Sequence, residues 1–296
     1  MSKLNEFLST YNIESYERPS VATDIAVFTV MPEEDVIDCR KLPQKKLRIL
    51  LIRRGEEPFR GLWALPGGFV RKDETVYQAA KRELAEETGT QQAYLEMCGT
   101  FDEPGRDPRG WIISQAFMAL INSEDKELMK NIHAGGDAEA ADWFDISLEL
   151  VSEGYERTKE DVKSTIAYKL NLSGKENLSA VIQEKKLYKS YHEEFEYSIL
   201  ESNGLAFDHA KIIACALNKL KRNITFDLRT AFDFMPTYFT LTDLQEVFEV
   251  ILNKELLKPN FRRKISEYVV ETDKTIITGG HRPSKLFKRN MNLFYK

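Results

Sequence analysis

Three glutamates, Glu83, Glu86 and Glu87, stand at spacings of three and four residues. On a helix those spacings place the side chains on one face. Like charges crowded there repel one another, and the arrangement is costly unless a cation offsets it. Hard oxygen donors grouped in this way suit Mg²⁺ or Mn²⁺, ions usually held by a few carboxylates together with substrate phosphates. Arg82, four residues before Glu86, can hold that carboxylate in place. Upstream, Gly67-Gly68 makes a tight loop whose backbone can approach a ligand closely. A solvated helix face explains any single pair of these glutamates, but not the whole pattern.

The surrounding residues supply the helix that must carry the carboxylates. Thr75 with Gln78 reads as a capping box, Val76, Ala80 and Leu84 form an apolar stripe, and Gly89 can close the last turn. Strands are expected at Asp24–Val30, Leu47–Arg54, Trp111–Leu120 and Ala141–Ile146. The charged stretch from about Ser152 to Asn203 contains a hairpin-like pair, Thr165–Leu172 and Asn177–Lys185, around Ser173-Gly174-Lys175. It is read as a possible extension of the sheet.

Gly68, Glu74, Arg82, Glu83, Leu84, Glu86, Glu87 and Gly89 together match the Nudix box, a long and specific motif. The departure is Thr90, where that family has an aliphatic residue. The resemblance implies an α/β/α sandwich with a mixed sheet and metal-dependent cleavage of a nucleoside diphosphate linked to another moiety. It also implies that Glu83 and Glu87 are the main metal ligands, with Glu86 and the carbonyl of Gly67 adding to them and Glu74 and Arg82 as buttresses. The family's catalytic base often lies outside the box. Gly135–Phe144 resembles the segment that supplies it, and this makes Asp137 and Glu139 candidates.

A chain of 296 residues exceeds one typical domain. No apolar stretch approaches transmembrane length, and the first residues lack the basic start and apolar run of a signal peptide. Cys39, Cys98 and Cys215 lie far apart, without metal-ligand spacing, and four scattered histidines form no ligand set. A cytoplasmic protein with reduced thiols is expected. The net charge is −5, but Lys254–Lys296 carries eleven Lys or Arg against four Asp or Glu. That excess of seven leaves the rest of the chain about twelve units negative. An acidic body with a basic segment points to an anionic partner such as nucleic acid.

That basic segment has a recognisable order. Phe207–Leu220 is an amphipathic helix. Leu244, Val247, Phe248 and Ile251 form one apolar face of a second, which Thr242 and Gln245 would cap. After a short turn comes a basic helix expected to run through Asn260–Val269 with Phe261, Ile265 and Val269 inward and Arg262, Arg263 and Lys264 outward. A hairpin with Gly279-Gly280 at its tip follows. Helix, turn, basic helix and hairpin outline a winged helix-turn-helix.

Nudix box and winged helix together resemble the Nudix-related transcriptional regulators of the NrtR type. The matching pieces include Phe59–Val70, Gly105–Gly110, Phe207–Ala210, Phe239–Gln245, Asn260–Lys264 and Arg282-Pro283. The expected fold is thus α+β, with a Nudix domain over 1–203 and a winged helix-turn-helix over 204–296. The resemblance implies a homodimer that senses ADP-ribose or a related sugar phosphate and binds a double-stranded operator. Asn260, Arg262, Arg263, Lys264, Arg282 and Lys285 would meet DNA. Arg106 and Arg109 are candidates for the ligand's second phosphate or ribose. Many such regulators have a degraded box, whereas this one keeps every carboxylate. The expected function is therefore hydrolysis of an ADP-ribose-like substrate joined to DNA binding, with a non-catalytic, ligand-sensing repressor as the alternative.

Overall fold

Strands β1 (Ser20–Pro32) and β2 (Lys45–Arg54) are apolar on both faces, and both faces are covered. Ile25, Val27 and Leu50 pack beneath helix α2 (Val76–Thr88), while Ala26, Phe28, Ile49 and Leu51 pack on the opposite side. Alternation with a period of two is what divides one strand between two cores. The computed structural model describes residues 3–33, 44–89, 93–124, 138–189, 192–277 and 283–294.

Ten of the described strands join in one sheet. Besides β1 and β2 it contains β3 (Trp63–Ala64), β4 (Gly67–Phe69), β5 (Tyr94–Phe101), β6 (Ile112–Ile121) and β7 (Ala138–Arg157). It is completed by β8 (Val162–Ser173), β9 (Asn177–Lys189) and β10 (His192–Asn203). The order is β10-β9-β8-β7-β2-β1-β6-β5, with β3 on β2 and β4 on β1. β1 and β6 run parallel and the other described pairs antiparallel, so the sheet is mixed, as expected. The charged stretch after Ser152 does extend the sheet, and the turn of the expected hairpin, β8 to β9, falls at Ser173–Asn177. β10, β5 and the N-terminal helix α1 (Lys3–Thr10) add to the elements that were expected.

Helix α3 (His209–Phe226) covers the face opposite α2. It touches β1, β5, β6, β9 and β10, and on its other side the 3₁₀ segment Leu228–Phe234 and α4 (Leu241–Leu252). It runs past Leu220 because Ile224 is also buried. The expected boundary after residue 203 assigns this helix to the second unit, yet much of its buried surface lies on the sheet. Its start is fastened by Trp63, whose N–H donates to Gly204 O at 2.9 Å and whose carbonyl accepts from Ala206 N at 2.8 Å.

The C-terminal unit follows the expected outline with two corrections. Thr240, not Thr242, caps α4: Thr240 Oγ1 accepts from Asp243 N at 3.1 Å and Asp243 Oδ2 accepts from Thr240 N at 3.1 Å. The basic helix α5 (Lys258–Ile265) ends four residues early, in a 3₁₀ turn, and Val269 instead opens strand β11 (Val269–Ile276). β11 pairs with β12 (Ser284–Arg289) as the wing, and a short helix α6 (Met291–Phe294) follows. The wing is tied back through reciprocal backbone bonds between Phe239 and Phe287 at 3.0 and 2.8 Å. Lys45 of β2 reaches across to Asp243 and Glu246 of α4 at 3.0 and 3.2 Å. Among the described residues no helix is long and apolar enough to cross a membrane.

One apolar cluster runs from Met118 in the sheet through Leu217 and Leu220 of α3 to Phe248 and Phe261 of the winged helix. Leu220→Ala should lower the unfolding free energy by about 2–5 kcal/mol in a denaturant titration. A loss below about 1 kcal/mol would mean that α3 is not central to this core.

Candidate functional site

The box helix is set by its two ends. Thr75 Oγ1 accepts from Gln78 N at 3.2 Å and Gln78 Oε1 accepts from Thr75 N at 2.8 Å. Gly89 closes the helix in the left-handed region at φ 71°. This phase buries Ala79, Ala80, Leu84 and also Glu87, which is 6% exposed. Glu83 lies against the Gly67-Gly68 loop so closely that a Cβ on Gly68 would stand 2.2 Å from Glu83 Oε1. A Cβ on Gly67 would stand 2.0 Å from the Thr23 carbonyl oxygen. Both glycines are therefore there for close approach.

Arg82 organises the carboxylates. Its Nη1 donates to Glu83 Oε1 at 2.6 Å, and its Nε and Nη2 donate to Glu74 at 3.1 and 2.7 Å. Its contact with Glu86, the one that the spacing of four residues suggested, is the longest at 3.5 Å. Arg71 Nη2 also stands 3.7 Å from Glu86, whose side chain is half exposed. The hydrogen bond from Arg82 is the chief cause of a Glu74 pKa of about 2. Burial pushes Glu83 the other way, above the usual carboxylate range, against the pull of Arg82.

Among the described residues no three His, Cys, Asp or Glu side chains converge closely enough to hold a metal ion. The donor chemistry still fits Mg²⁺ or Mn²⁺, because such ions take only one or two protein carboxylates and complete their shells with water and phosphate oxygens. Glu83 and Glu87, shielded from water, and Glu86, open to it, are the side chains that would hold one beside the Gly67 carbonyl. The Arg82 guanidinium now supplies the countercharge at Glu83.

Next to this loop is a cleft of about 220 Å³, lined among others by Gly67, Gly68, Phe69, Arg106, Arg109 and Phe207. The two candidate arginines differ in what they do there. Arg106 is 5% exposed at its side chain and forks on Asp208 at 2.9 and 2.6 Å, with Asp24 at 3.6 Å. Most of its donor capacity is spent inside the protein. Arg109 forks on Asp107, and its guanidinium lies 5.2 Å from the Phe69 ring centre and 5.4 Å from that of Phe207.

Sequence reasoning did not single out Asp24 or His209. Asp24 accepts from Ser114 Oγ at 2.5 Å and faces His209 Nε2 at 3.4 Å. His209 Nδ1 accepts from Leu65 N at 2.8 Å, so the ring proton belongs on Nε2, toward Asp24. A carboxylate inside an otherwise apolar strand was the available signal for Asp24. For His209 the signal was its place in the Phe207–Ala210 match.

Glu139 does not line the cleft; it is exposed in β7, 3.9 Å from Arg60. Asp137, Thr90 and Arg282 lie outside the described residues. In α5, Phe261 and Ile265 are buried while Asn260, Arg262, Arg263 and Lys264 are exposed. Arg263 Nη2 donates to Asn260 Oδ1 at 3.3 Å, and Lys285 on the wing pairs with Glu271.

Burial holds the His209 pKa below its ordinary 6.5. The native ring stays neutral where the unfolded chain takes up a proton, so stability from this group is present above pH 6.5 and is lost as pH falls below it. The loss should be at most about 1.4 kcal/mol per pH unit. Thermal denaturation between pH 7.5 and 5.5 should show a slope that His209→Gln, able to accept from Leu65 and donate to Asp24, flattens. Equal slopes in both proteins would refute the assignment.

Residues 36–162 match the NUDIX domain family, and residues 231–288 match the NrtR DNA-binding winged helix domain. The chain is 30% identical over 286 residues to an ADPR responsive transcriptional repressor of Acinetobacter baylyi, covering 95% of this chain and 86% of the relative. It is 44% identical over 105 residues to an ADP-ribose pyrophosphatase of Methanocaldococcus jannaschii, a match covering 35% of this chain and 58% of that one. A MutT/nudix family protein from Enterococcus faecalis shares the fold at a TM-score of 0.64 and 26% identity, covering 98% of this chain and 94% of that structure. With its Nudix box, its winged helix and a repressor relative along nearly its whole length, the chain belongs to the NrtR family of Nudix-domain transcriptional regulators.

Proposed function

We propose that this regulator binds an ADP-ribose-like nucleoside diphosphate sugar at the cleft beside Gly67-Gly68, and that it hydrolyses the pyrophosphate with Mg²⁺ or Mn²⁺. The observation that carries the catalytic half is the seating of Glu83 against Gly68 beside a buried Glu87. Withholding carboxylates from water is costly, and Arg82 offsets that cost at Glu83 only in part, leaving a role for a further cation. A divalent ion, when bound, supplies neutralisation of the pyrophosphate's charge. Glu83, Glu86, Glu87 and the Gly67 carbonyl are the groups that would hold it, and Arg82 with Glu74 fixes the direction of Glu83. Arg109 contributes positive charge at the cleft mouth, and Arg106 keeps the loop that bears Arg109 in place. Asp137 is the proposed proton acceptor, since Glu139 stands off the cleft beside Arg60.

A second reading, in which the Nudix domain senses the ligand without cleaving it, is favoured by the Arg82 bonds to Glu83 and Glu74 and by the absence of a ready ligand set among the described residues. Incubation with ADP-ribose and Mg²⁺ should yield AMP, and Glu87→Gln should reduce turnover by on the order of a hundredfold or more. Ligand binding without AMP would establish the sensing reading instead.

As a homodimer, the protein would present two copies of α5 to an operator of matching two-fold symmetry. Arg262→Ala with Arg263→Ala should weaken operator binding by on the order of tenfold or more in a gel shift, and should lower its salt dependence. Unchanged affinity would remove α5 as the recognition helix.

A further inference from the structure

The turn from α4 to α5 borders two open spaces. One is a groove of about 880 Å³ lined by Lys45, Asp145, Asn253, Lys254 and Glu255 among others. The other is an apolar pocket of about 250 Å³ lined by residues that include Leu252, Leu256 and Phe261. The helix that follows, α5, is eight residues long, has no side-chain cap at its start, and buries Phe261 and Ile265. Phe261 meets Phe248 of α4 edge to face, with ring centres 5.3 Å apart. Apolar contact is not directional, so these two residues hold α5 to the core and leave its tilt to be set by other groups.

Directional bonds reach the turn from α4. Gln245, 7% exposed, donates from Nε2 to Leu256 O at 2.8 Å and to Glu249 Oε1 at 2.8 Å. Glu249 Oε1 accepts from Leu256 N at 2.7 Å, and the Glu249 carbonyl accepts from Lys254 N at 3.1 Å. Both polar groups of the Leu256 backbone are thus met by side chains one helical turn apart on α4. The amide of Gln245 can face only one way, because both partners of Nε2 are acceptors and both of its hydrogens are used. A bond accepted by a carboxylate is also stronger than one between neutral groups. This ring of bonds closes one residue before Leu257, where the chain enters α5.

We propose that Gln245 and Glu249 are positioning residues for DNA recognition. Their clasp on Leu256 sets the angle at which α5 leaves the turn, and with it the register of Asn260, Arg262 and Arg263 on the bases. This rests on the reading of α5 as the recognition helix. Phosphate contacts carry no sequence information, whereas bases are read by hydrogen bonds, which weaken steeply when misaligned. Loosening the clasp should therefore cost binding to a specific site and spare binding to unrelated DNA, which phosphate contacts dominate.

The test uses the full-length protein with a duplex that the native protein selects from a random library, beside a scrambled duplex of the same length and composition. Gln245→Met keeps the bulk of the side chain and removes its donors. It should weaken binding to the selected duplex by about tenfold or more, and change affinity for the scrambled duplex less than about twofold. Glu249→Ala should act alike, and Glu249→Gln, whose amide oxygen can still accept both bonds, should keep the native preference. A role in stability alone would instead lower the denaturation midpoint and leave the ratio of the two affinities as it is. Glu249 is only half-buried, so its variants report even where Gln245→Met impairs folding. A native ratio in the folded Gln245→Met and Glu249→Ala proteins, or an equal loss on both duplexes, would overturn the clasp and leave the DNA-binding reading intact. Failure of the native protein to enrich any duplex would overturn the DNA-binding reading, and the clasp with it.

Discussion

The buried fork of Arg106 on Asp208 is the constraint on which the molecule's geometry rests. A guanidinium with almost no water around it is tolerable only while its partner carboxylates are in place, and losing one partner of such a pair typically costs about 3–5 kcal/mol. Asp208 is the residue before α3, Arg106 belongs to the loop that carries Arg109, and Asp24 beside them belongs to the central strand. Lys211, one turn into α3, pairs with Glu103 at the base of the same loop. The cleft, the sheet and the helix leading to the DNA-binding unit are thus locked at one point, and the neutral His209 fills the remaining polar space there without adding a charge.

What could be read from the sequence was what short-range rules determine. The cap of α2, its left-handed close at Gly89, the hairpin around Gly174 and the basic face of α5 each depend on residues within a few positions of one another. The α4 cap was misplaced by two residues because Thr240 and Thr242 both have a capping-capable residue three positions on, and only tertiary packing decides between them. The α5 helix was extended to Val269 because strand and helix can bury the same valine. β5, with a bulge between Met97 and Gly99, breaks the alternation by which strands are recognised. The cleft was hidden for another reason. Asp24 meets Arg106 across 82 residues of chain and His209 across 185, and nothing local marks Asp24 as a partner of the other two. The motif that could be read, the Nudix box, is the case where all the relevant groups lie on one loop and one helix.

Electrostatics in the box follow from the same geometry. The glutamates that repelled one another on paper are separated in the fold by burial and by arginine. Glu83 and Glu74 share Arg82, Glu87 turns inward, and Glu86 stays in solvent near Arg71. An ion entering this site competes with guanidinium groups already in place, so its affinity depends on how much of the countercharge a ligand's phosphates return. Ion and diphosphate are then expected to bind as a pair.

The continuity of the core gives that binding a way to matter at DNA. Phe207 lies in the cleft wall and Phe261 in the basic helix α5, and α3, which begins two residues after Phe207, packs into the apolar cluster that contains Phe261. A close-packed interior transmits displacement because it has few voids in which to absorb it. Lys45, set in the sheet and paired with Asp243 and Glu246 of α4, forms a second, charged connection along another path. Whatever difference a ligand makes at the cleft must, by linkage, be returned by DNA as an equal change in ligand affinity. Under the proposed hydrolysis the retained carboxylates would add a property that occupancy alone lacks, since a site that cleaves its ligand also limits how long the coupling lasts.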